Sequence, residues 1–196
     1  MRIGIDIDGV IANFFAGYES LIISIAGKDL FGDNKYPNEF PKVWNWPETF
    51  GYGPEVVSQA WAHIKGNPGF WATLGTLPDI NTWLLWLKTA GSKHDIYFIT
   101  DRPGAGAKYW TERWFNRYGY DNATILISRN GKGAIVAALD LELYIDDKVE
   151  NILDVQTKAP NCRAYLAPQY LYNTNHPDFN KVTRSCHTVW DILKRL

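Results

Sequence analysis

Ile3, Ile5 and Ile7 alternate with Gly4 and Asp6 at the head of the chain, and the run stops at Asp6 and Asp8. This apolar, β-branched pattern predicts a buried strand, and Gly9 frees the backbone to turn directly after it. Phe14, Tyr18, Leu21, Ile22 and Ile25 then recur at helical spacing, with Asn13 as N-cap and Gly27 as stop. Residues 28–53 form a loop rich in Gly, Pro, Asn and aromatic residues. Pro54 starts a second helix through Val57, Ala60, Trp61 and Ile64, ending near Gly66 before the turn signal Asn67-Pro68-Gly69. Leu77-Pro78-Asp79 leads into a helix carrying Ile80, Trp83, Leu84 and Leu87 on one face, closed by Gly91.

From there strands and helices alternate. A strand over 95–99 ends at Thr100, and Pro103 and Gly104 open a helix with Ala107, Trp110 and Trp114 on one stripe, ending at Gly119. Strands over 124–128 and 143–145 flank a short helical turn over 134–139. Val149, Ile152 and Leu153 mark a further helix, and 162–166 a last strand. Residues 167–184 are polar with aromatic interruptions and yield no element, and Val189, Ile192, Leu193 and Leu196 mark a closing helix. The alternation predicts an α/β fold with a parallel, doubly wound, Rossmann-like sheet. Residues 13–76 read as a small helical cap inserted after the first strand, and 1–12 with 77–196 as the core.

Length and charge narrow the class. The chain has 196 residues and a formal net charge of −1, enough for one such core plus an insertion. The near-neutral balance gives no reason to expect a nucleic acid polymer as partner. Cys162 and Cys186 lack metal-ligand spacing and read as reduced, structural thiols. No apolar run approaches the roughly 20 residues of a membrane span. Met1-Arg2 opens straight into the first strand, so a cytoplasmic location is the expectation. His63, His94, His176 and His187 are scattered without paired ligand spacing.

The chemistry sits at the strand ends. In a parallel α/β sheet, ligands bind outside the carboxyl ends of the strands. Asp6 and Asp8 lie at one such end, and Asp146-Asp147 follow the apolar run Leu143-Tyr144-Ile145 at another. One strand-end Asp is often a turn cap. Four carboxylates converging on one edge imply a hard divalent cation, for which Mg²⁺ is the natural choice. Thr100 brings a hydroxyl to that edge, and Lys132, in Asn130-Gly131-Lys132-Gly133, supplies positive charge. Cation, hydroxyl, ammonium and backbone N–H groups together suit a phosphate. Arg102 has two readings: binding phosphate, or pairing with Asp101 or a nearby carboxylate.

The order Asp6-Ile7-Asp8-Gly9-Val10, Phe98-Ile99-Thr100, Lys132 and Ile145-Asp146-Asp147 resembles the four motifs of the haloacid dehalogenase (HAD) superfamily of phosphatases, and within it the 5′(3′)-deoxyribonucleotidase branch. The resemblance covers most of the chain and implies a Mg²⁺-dependent phosphomonoesterase. It makes Asp6 the nucleophile that becomes an aspartyl phosphate, and Asp8 the general acid and then base. It has Asp6, the backbone carbonyl of Asp8 and Asp147 holding Mg²⁺, Asp146 orienting Lys132 or a metal-bound water, and Thr100 and Lys132 binding phosphate oxygens. It also implies a nucleoside monophosphate as substrate, with Phe14 where the branch stacks the base on an aromatic, Trp61 near a tryptophan of its cap, and Trp44 and Trp46 where it carries another aromatic cluster, all four being candidates to contact the substrate. The chain departs from the branch at Asp101-Arg102-Pro103-Gly104, where those enzymes continue Ser-Pro.

Six of the nine tryptophans, Trp44, Trp46, Trp61, Trp71, Trp83 and Trp86, lie between the first and second motifs. They supply flat surfaces for a base, the core of a small cap, or a homodimer contact. Two rivals remain at this level: a phosphatase for another small organic phosphate such as a sugar phosphate, and a non-catalytic phosphate-binding module.

Overall fold

The computed structural model describes residues 1–35, 42–77, 80–168 and 170–196. Its centre is a five-stranded parallel sheet of β1 (Arg2–Ile5), β4 (Asp95–Thr100), β5 (Thr124–Ile127), β6 (Leu143–Asp146) and β7 (Arg163–Leu166), in the order β5-β4-β1-β6-β7. The first strand lies in the middle. It pairs with β4 from Arg2↔Asp95 to Ile5↔Phe98 and with β6 from Ile3↔Leu143 to Ile5↔Ile145. All three therefore point their carboxyl ends the same way, and Asp6, Thr100 and Asp146 reach one edge.

Period-two alternation sorts the side chains into two cores. Leu143 and Ile145 of β6, with Ile3, Ile5 and Phe98, face one layer of helices. Tyr144 faces the other, with Ile99, Ala164, Leu166 and the inward residues of α7 (Gly133–Ala138) and α8 (Val149–Lys158). Helices on both faces of a parallel sheet are the doubly wound arrangement expected from the sequence.

A second, two-stranded antiparallel sheet joins β2 (Ala12–Asn13) to β3 (Gly75–Thr76), pairing Ala12 with Thr76 and Asn13 with Gly75. Between them lie α1 (Phe14–Ala26), α2 (Trp46–Thr49), α3 (Pro54–Gly66) and α4 (Phe70–Thr73). The predicted caps of α1 hold: Asn13 Oδ1 accepts from the Ala16 N–H at 3.1 Å, and Gly27 sits at φ 65° with its N–H on the Ile23 carbonyl. Phe14, Phe15, Tyr18 and Ile22 form the buried face of α1, which packs on α3. The short α2 interrupts the loop expected over 28–53, of which 36–41 lie outside the described residues.

The helix expected after Leu77 is α5 (Ile80–Ala90), and residues 78–79 of its approach also lie outside the described residues. The helix after Pro103 begins later than predicted, as α6 (Ala107–Arg117), because Gly104 and Gly106 hold φ of 102° and 76°, where no helix can run. The stretch that gave no reading contains α9 (Leu171–Thr174) and a 3₁₀ turn, Phe179–Lys181, before α10 (Trp190–Leu193).

Candidate active site

The turn after β1 brings the first carboxylates into place. The Asp6 N–H donates to the Ile145 carbonyl at 2.9 Å, so Asp6 still belongs to the sheet. Ile7 O accepts from Ile11 and Ala12 at 2.9 and 2.8 Å, and this tight turn projects Asp8 above the edge. Gly9 holds φ 81°, and a Cβ there would fall 2.3 Å from Asp147 Oδ2. Only glycine lets the two acidic turns approach this closely.

Lys132 stands between the turns. Its Nζ lies 2.6 Å from Asp6 Oδ1 and 2.8 Å from Asp146 Oδ2, with all three side chains buried. Its loop is fixed by the Ser128 hydroxyl donating to the Gly131 carbonyl at 2.9 Å and the Gly133 N–H donating to Asp154 Oδ2 at 2.7 Å. Asp146 is saturated with donors. Its Oδ2 takes Lys132, the Tyr144 hydroxyl at 2.6 Å and Asn151 at 3.1 Å, and its Oδ1 takes the Lys148 N–H at 2.9 Å and Asn151 at 3.0 Å. Asp147 is the opposite case. Its Oδ2 accepts from the Tyr172 hydroxyl at 2.5 Å, while its buried Oδ1 has no partner.

These surroundings separate the proton affinities of three neighbouring carboxylates. Burial pushes Asp6 well above the ordinary carboxylate range; Lys132 pulls it back, and Asp146, Asp147 and Asp8 push it further up. Burial, then the adjacent Asp146, raise Asp147 to about 6. Burial works to raise Asp146 too, but Lys132 and the hydrogen bonds from Lys132, Tyr144 and Asn151 outweigh it and hold that carboxyl low. Burial opposes the Lys132 charge, and the attraction of Asp146 and Asp6 more than restores it.

Oxygens of Asp6, Asp146 and Asp147 lie within 4.8 Å of one another. Repelling carboxylates, a buried oxygen without a donor and an all-oxygen donor set together fit a hard divalent cation. With Asp146 fully hydrogen-bonded, Asp6 and Asp147 have the oxygens best placed to serve it.

Asp8 belongs to a different network. Arg102 forks on it, Nε to Oδ2 at 2.9 Å and Nη2 to Oδ1 at 2.8 Å, and the Thr100 hydroxyl donates to Oδ2 at 3.2 Å. Of the two readings open for Arg102, the structure has the pairing with a carboxylate, and the partner is Asp8 rather than Asp101. The guanidinium is buried, donates from Nη1 to the Thr111 hydroxyl at 3.1 Å, and lies 4.9 Å from the Trp71 ring centre and 5.9 Å from that of Trp114.

These groups face a cleft open to solvent, with Phe14, Phe15, Trp44, Trp61 and Trp71 on its other walls. Phe14 has only 4 % of its surface exposed, since Tyr18, Trp61 and Trp71 all stack on it within 6.1 Å. Trp44 is exposed, and Lys148 Nζ lies 3.9 Å above its ring. Trp46 corrects the sequence reading. The short α2 turns it inward against Phe15 and Tyr18, where it is buried and does not line the cleft.

The sequence profile of a family described as 5′ nucleotidase, deoxy (pyrimidine), cytosolic type C protein matches residues 1–191. The chain belongs to this family. It is accordingly a HAD-type phosphatase, a phosphoric monoester hydrolase. A HAD family hydrolase from Deinococcus radiodurans R1, solved with bound phosphate and sodium, superposes with a TM-score of 0.58 at 13 % identity, covering 98 % of this chain and 92 % of that one. A HAD-superfamily hydrolase of subfamily IA, variant 1, from Geobacter sulfurreducens PCA gives 0.55 at 14 % identity, covering 100 % and 95 %. Both share the fold. A search of the curated proteins finds no match. Among the described residues no helix is long and apolar enough to cross a membrane.

The sequence alone missed four residues that hydrogen-bond within this cluster, Tyr144, Asn151, Tyr172 and Asn173. Tyr144 was legible, because strand alternation puts residue 144 on the same face as Asp146. Asn151, Tyr172 and Asn173 had no local signal, since Asn151 and Tyr172 meet their carboxylates, and Asn173 the Asp147 backbone carbonyl, through a turn or a long excursion of the chain.

Proposed function

We propose that this phosphatase is a Mg²⁺-dependent 5′(3′)-deoxyribonucleotidase that hydrolyses nucleoside monophosphates. The observation that carries the reading is the convergence of Asp6, Lys132 and Asp147 beneath an aromatic-walled cleft, with Asp8 held at its rim. A carboxylate oxygen of Asp6 attacks phosphorus and the P–O ester bond breaks. Asp8 gives its proton to the departing nucleoside oxygen, leaving an aspartyl phosphate on Asp6. Asp8 then takes a proton from water, whose oxygen attacks phosphorus, and Asp6 leaves as a carboxylate with free phosphate. Lys132 and Thr100 hold the phosphoryl oxygens in flight, and Arg102 keeps Asp8 aimed. Mg²⁺, when bound by Asp6, Asp147 and the Asp8 carbonyl, supplies the positive charge that lets an anion approach an anionic phosphate. Asp146 orients Lys132. Residues 13–76 act as the cap that chooses the leaving group, in a cytosolic enzyme.

The deciding experiment is phosphate release from a panel of nucleoside monophosphates and sugar phosphates, with and without Mg²⁺. Mg²⁺-dependent release from nucleotides is the expected result. Release from sugar phosphates alone would keep the chemistry and reject the nucleotide.

Trp44 and Trp61 present the aromatic surface best placed to receive a base. A base stack is worth about 1–3 kcal/mol, so Trp44→Ala and Trp61→Ala should each raise KM for nucleotides roughly 5- to 150-fold while sparing an aliphatic ester such as glycerol phosphate. Equal losses on both substrates would dismiss base stacking.

The metal-free protein should respond to pH through Asp147. Its carboxyl binds a proton more tightly in the folded state, at about 6, than at the ordinary 3.8. Its contribution to stability is therefore complete below about pH 4 and lost as pH rises through about 6, on the order of 3 kcal/mol in all. Mg²⁺ should accordingly raise the melting temperature more at pH 7.5 than at pH 5. A shift of equal size at both values would contradict this.

A further inference from the structure

Asp147 and the Asp6–Gly9 turn are gripped from one side by a segment that no motif predicts. After β7 the chain returns to the catalytic edge, and three side chains at 170–173 reach back into it. The Tyr170 hydroxyl donates to the Gly9 carbonyl at 2.7 Å. The Tyr172 hydroxyl donates to Asp147 Oδ2 at 2.5 Å, and Asn173 Nδ2 to the Asp147 carbonyl at 2.6 Å. The two tyrosine rings stack, with centroids 5.5 Å apart and 20° between planes, and Phe15 and Trp44 pack against Tyr172.

The consequence is an asymmetric carboxylate. One oxygen of Asp147 is committed to Tyr172, and the other is buried without any donor. A carboxylate free to turn about its last bond would offer either oxygen, in varying directions. Hydrogen bonds to a metal-binding group fix its orientation and its basicity. We infer that Tyr172 is a positioning residue that occupies Asp147 Oδ2 and presents Oδ1 to a divalent cation. The inference rests on the reading of Asp147 as a metal ligand. It also assigns a purpose to residues 170–173, the strap that ties the two acidic turns together.

The test is Tyr172→Phe, which keeps the ring and its contacts with Phe15, Trp44 and Tyr170 and removes only the donor. Mg²⁺ binding is measured by titration calorimetry on the wild type, Tyr172→Phe, Tyr170→Phe and Asp147→Asn. Tyr172→Phe should weaken Mg²⁺ about 10- to 100-fold, the usual effect of losing a partner of a metal ligand. Tyr170→Phe, whose bond is to Gly9 and not to Asp147, should weaken Mg²⁺ less than Tyr172→Phe does. Turnover by Tyr172→Phe should fall at limiting Mg²⁺ and recover its kcat at saturating Mg²⁺, which a merely structural loss would not allow. Wild-type affinity in Tyr172→Phe, or equal weakening in both tyrosine variants, would overturn the inference while Asp147→Asn still lost binding. If Asp147→Asn titrates like the wild type, the metal assignment itself falls and takes the inference with it.

Discussion

Asp6→Asn should release phosphate from nucleotides roughly 10⁴-fold more slowly or worse, and should not be less stable for it. The loss follows from chemistry, since an amide cannot replace a carboxylate as nucleophile, and removing a nucleophile costs factors of this order. The stability half follows from the surroundings. Asp6 is buried among Asp8, Asp146 and Asp147, and burial together with these neighbours raises its proton affinity despite Lys132. The ionised form is thus less favourable in the folded state than in water, and its contribution to stability is lost as pH rises above the ordinary carboxylate value. An asparagine keeps an acceptor for Lys132, which lies 2.6 Å from Asp6 Oδ1, and removes the repulsion. In EDTA at pH 7.5 the variant should melt at or above the wild type, as expected where a site trades stability for function. Activity within tenfold of wild type would remove Asp6 from the nucleophile's place. Melting several degrees lower would show that the Asp6 charge supports the fold.

This strain was partly legible in the sequence. The strands ending at Asp6, Thr100 and Asp146 announce themselves through short apolar runs, and a parallel sheet with those ends together needs only local pattern and alternation. The helix Pro54–Gly66 was readable for the same reason, its proline and glycine being local signals. What could not be read depends on side chains meeting across long separations. Arg102 and Asp8 are 94 residues apart and Tyr172 and Asp147 25 apart. The pattern around Trp46 says aromatic and apolar but not which way a four-residue helix will turn it. The late start of α6 is a backbone matter. A Cβ on Gly104 would lie 2.9 Å from the Lys65 carbonyl, so the end of α3 and the loop after Thr100 touch where the sequence shows only two glycines. These misses fall at the catalytic edge and the contacts around it, where function overrides local preference.

Asp8 is where structure and chemistry are hardest to separate by mutation. Replacing it with alanine removes the proposed acid and base, worth about 10²–10⁴-fold in turnover. It also strands a guanidinium that is fully buried beside a carboxylate only 21 % exposed. Breaking a buried pair from one side costs about 3–5 kcal/mol, and the low end applies here because Asp8 reaches water and the Thr111 hydroxyl and two indole rings still face Arg102. Asp8→Ala should therefore melt roughly 6–12 °C below wild type. The double variant Asp8→Ala/Arg102→Met should recover most of that loss, because an apolar side chain of similar length needs no counter-charge between Trp71 and Trp114. It should stay as inactive as Asp8→Ala. Recovered stability without recovered activity would assign the two functions of Asp8 separately, one to the proton and one to the fold. A single variant as stable as wild type would mean that Thr111 and the indoles satisfy Arg102 by themselves. A double variant less stable than the single would place the main partner of Arg102 elsewhere than Asp8.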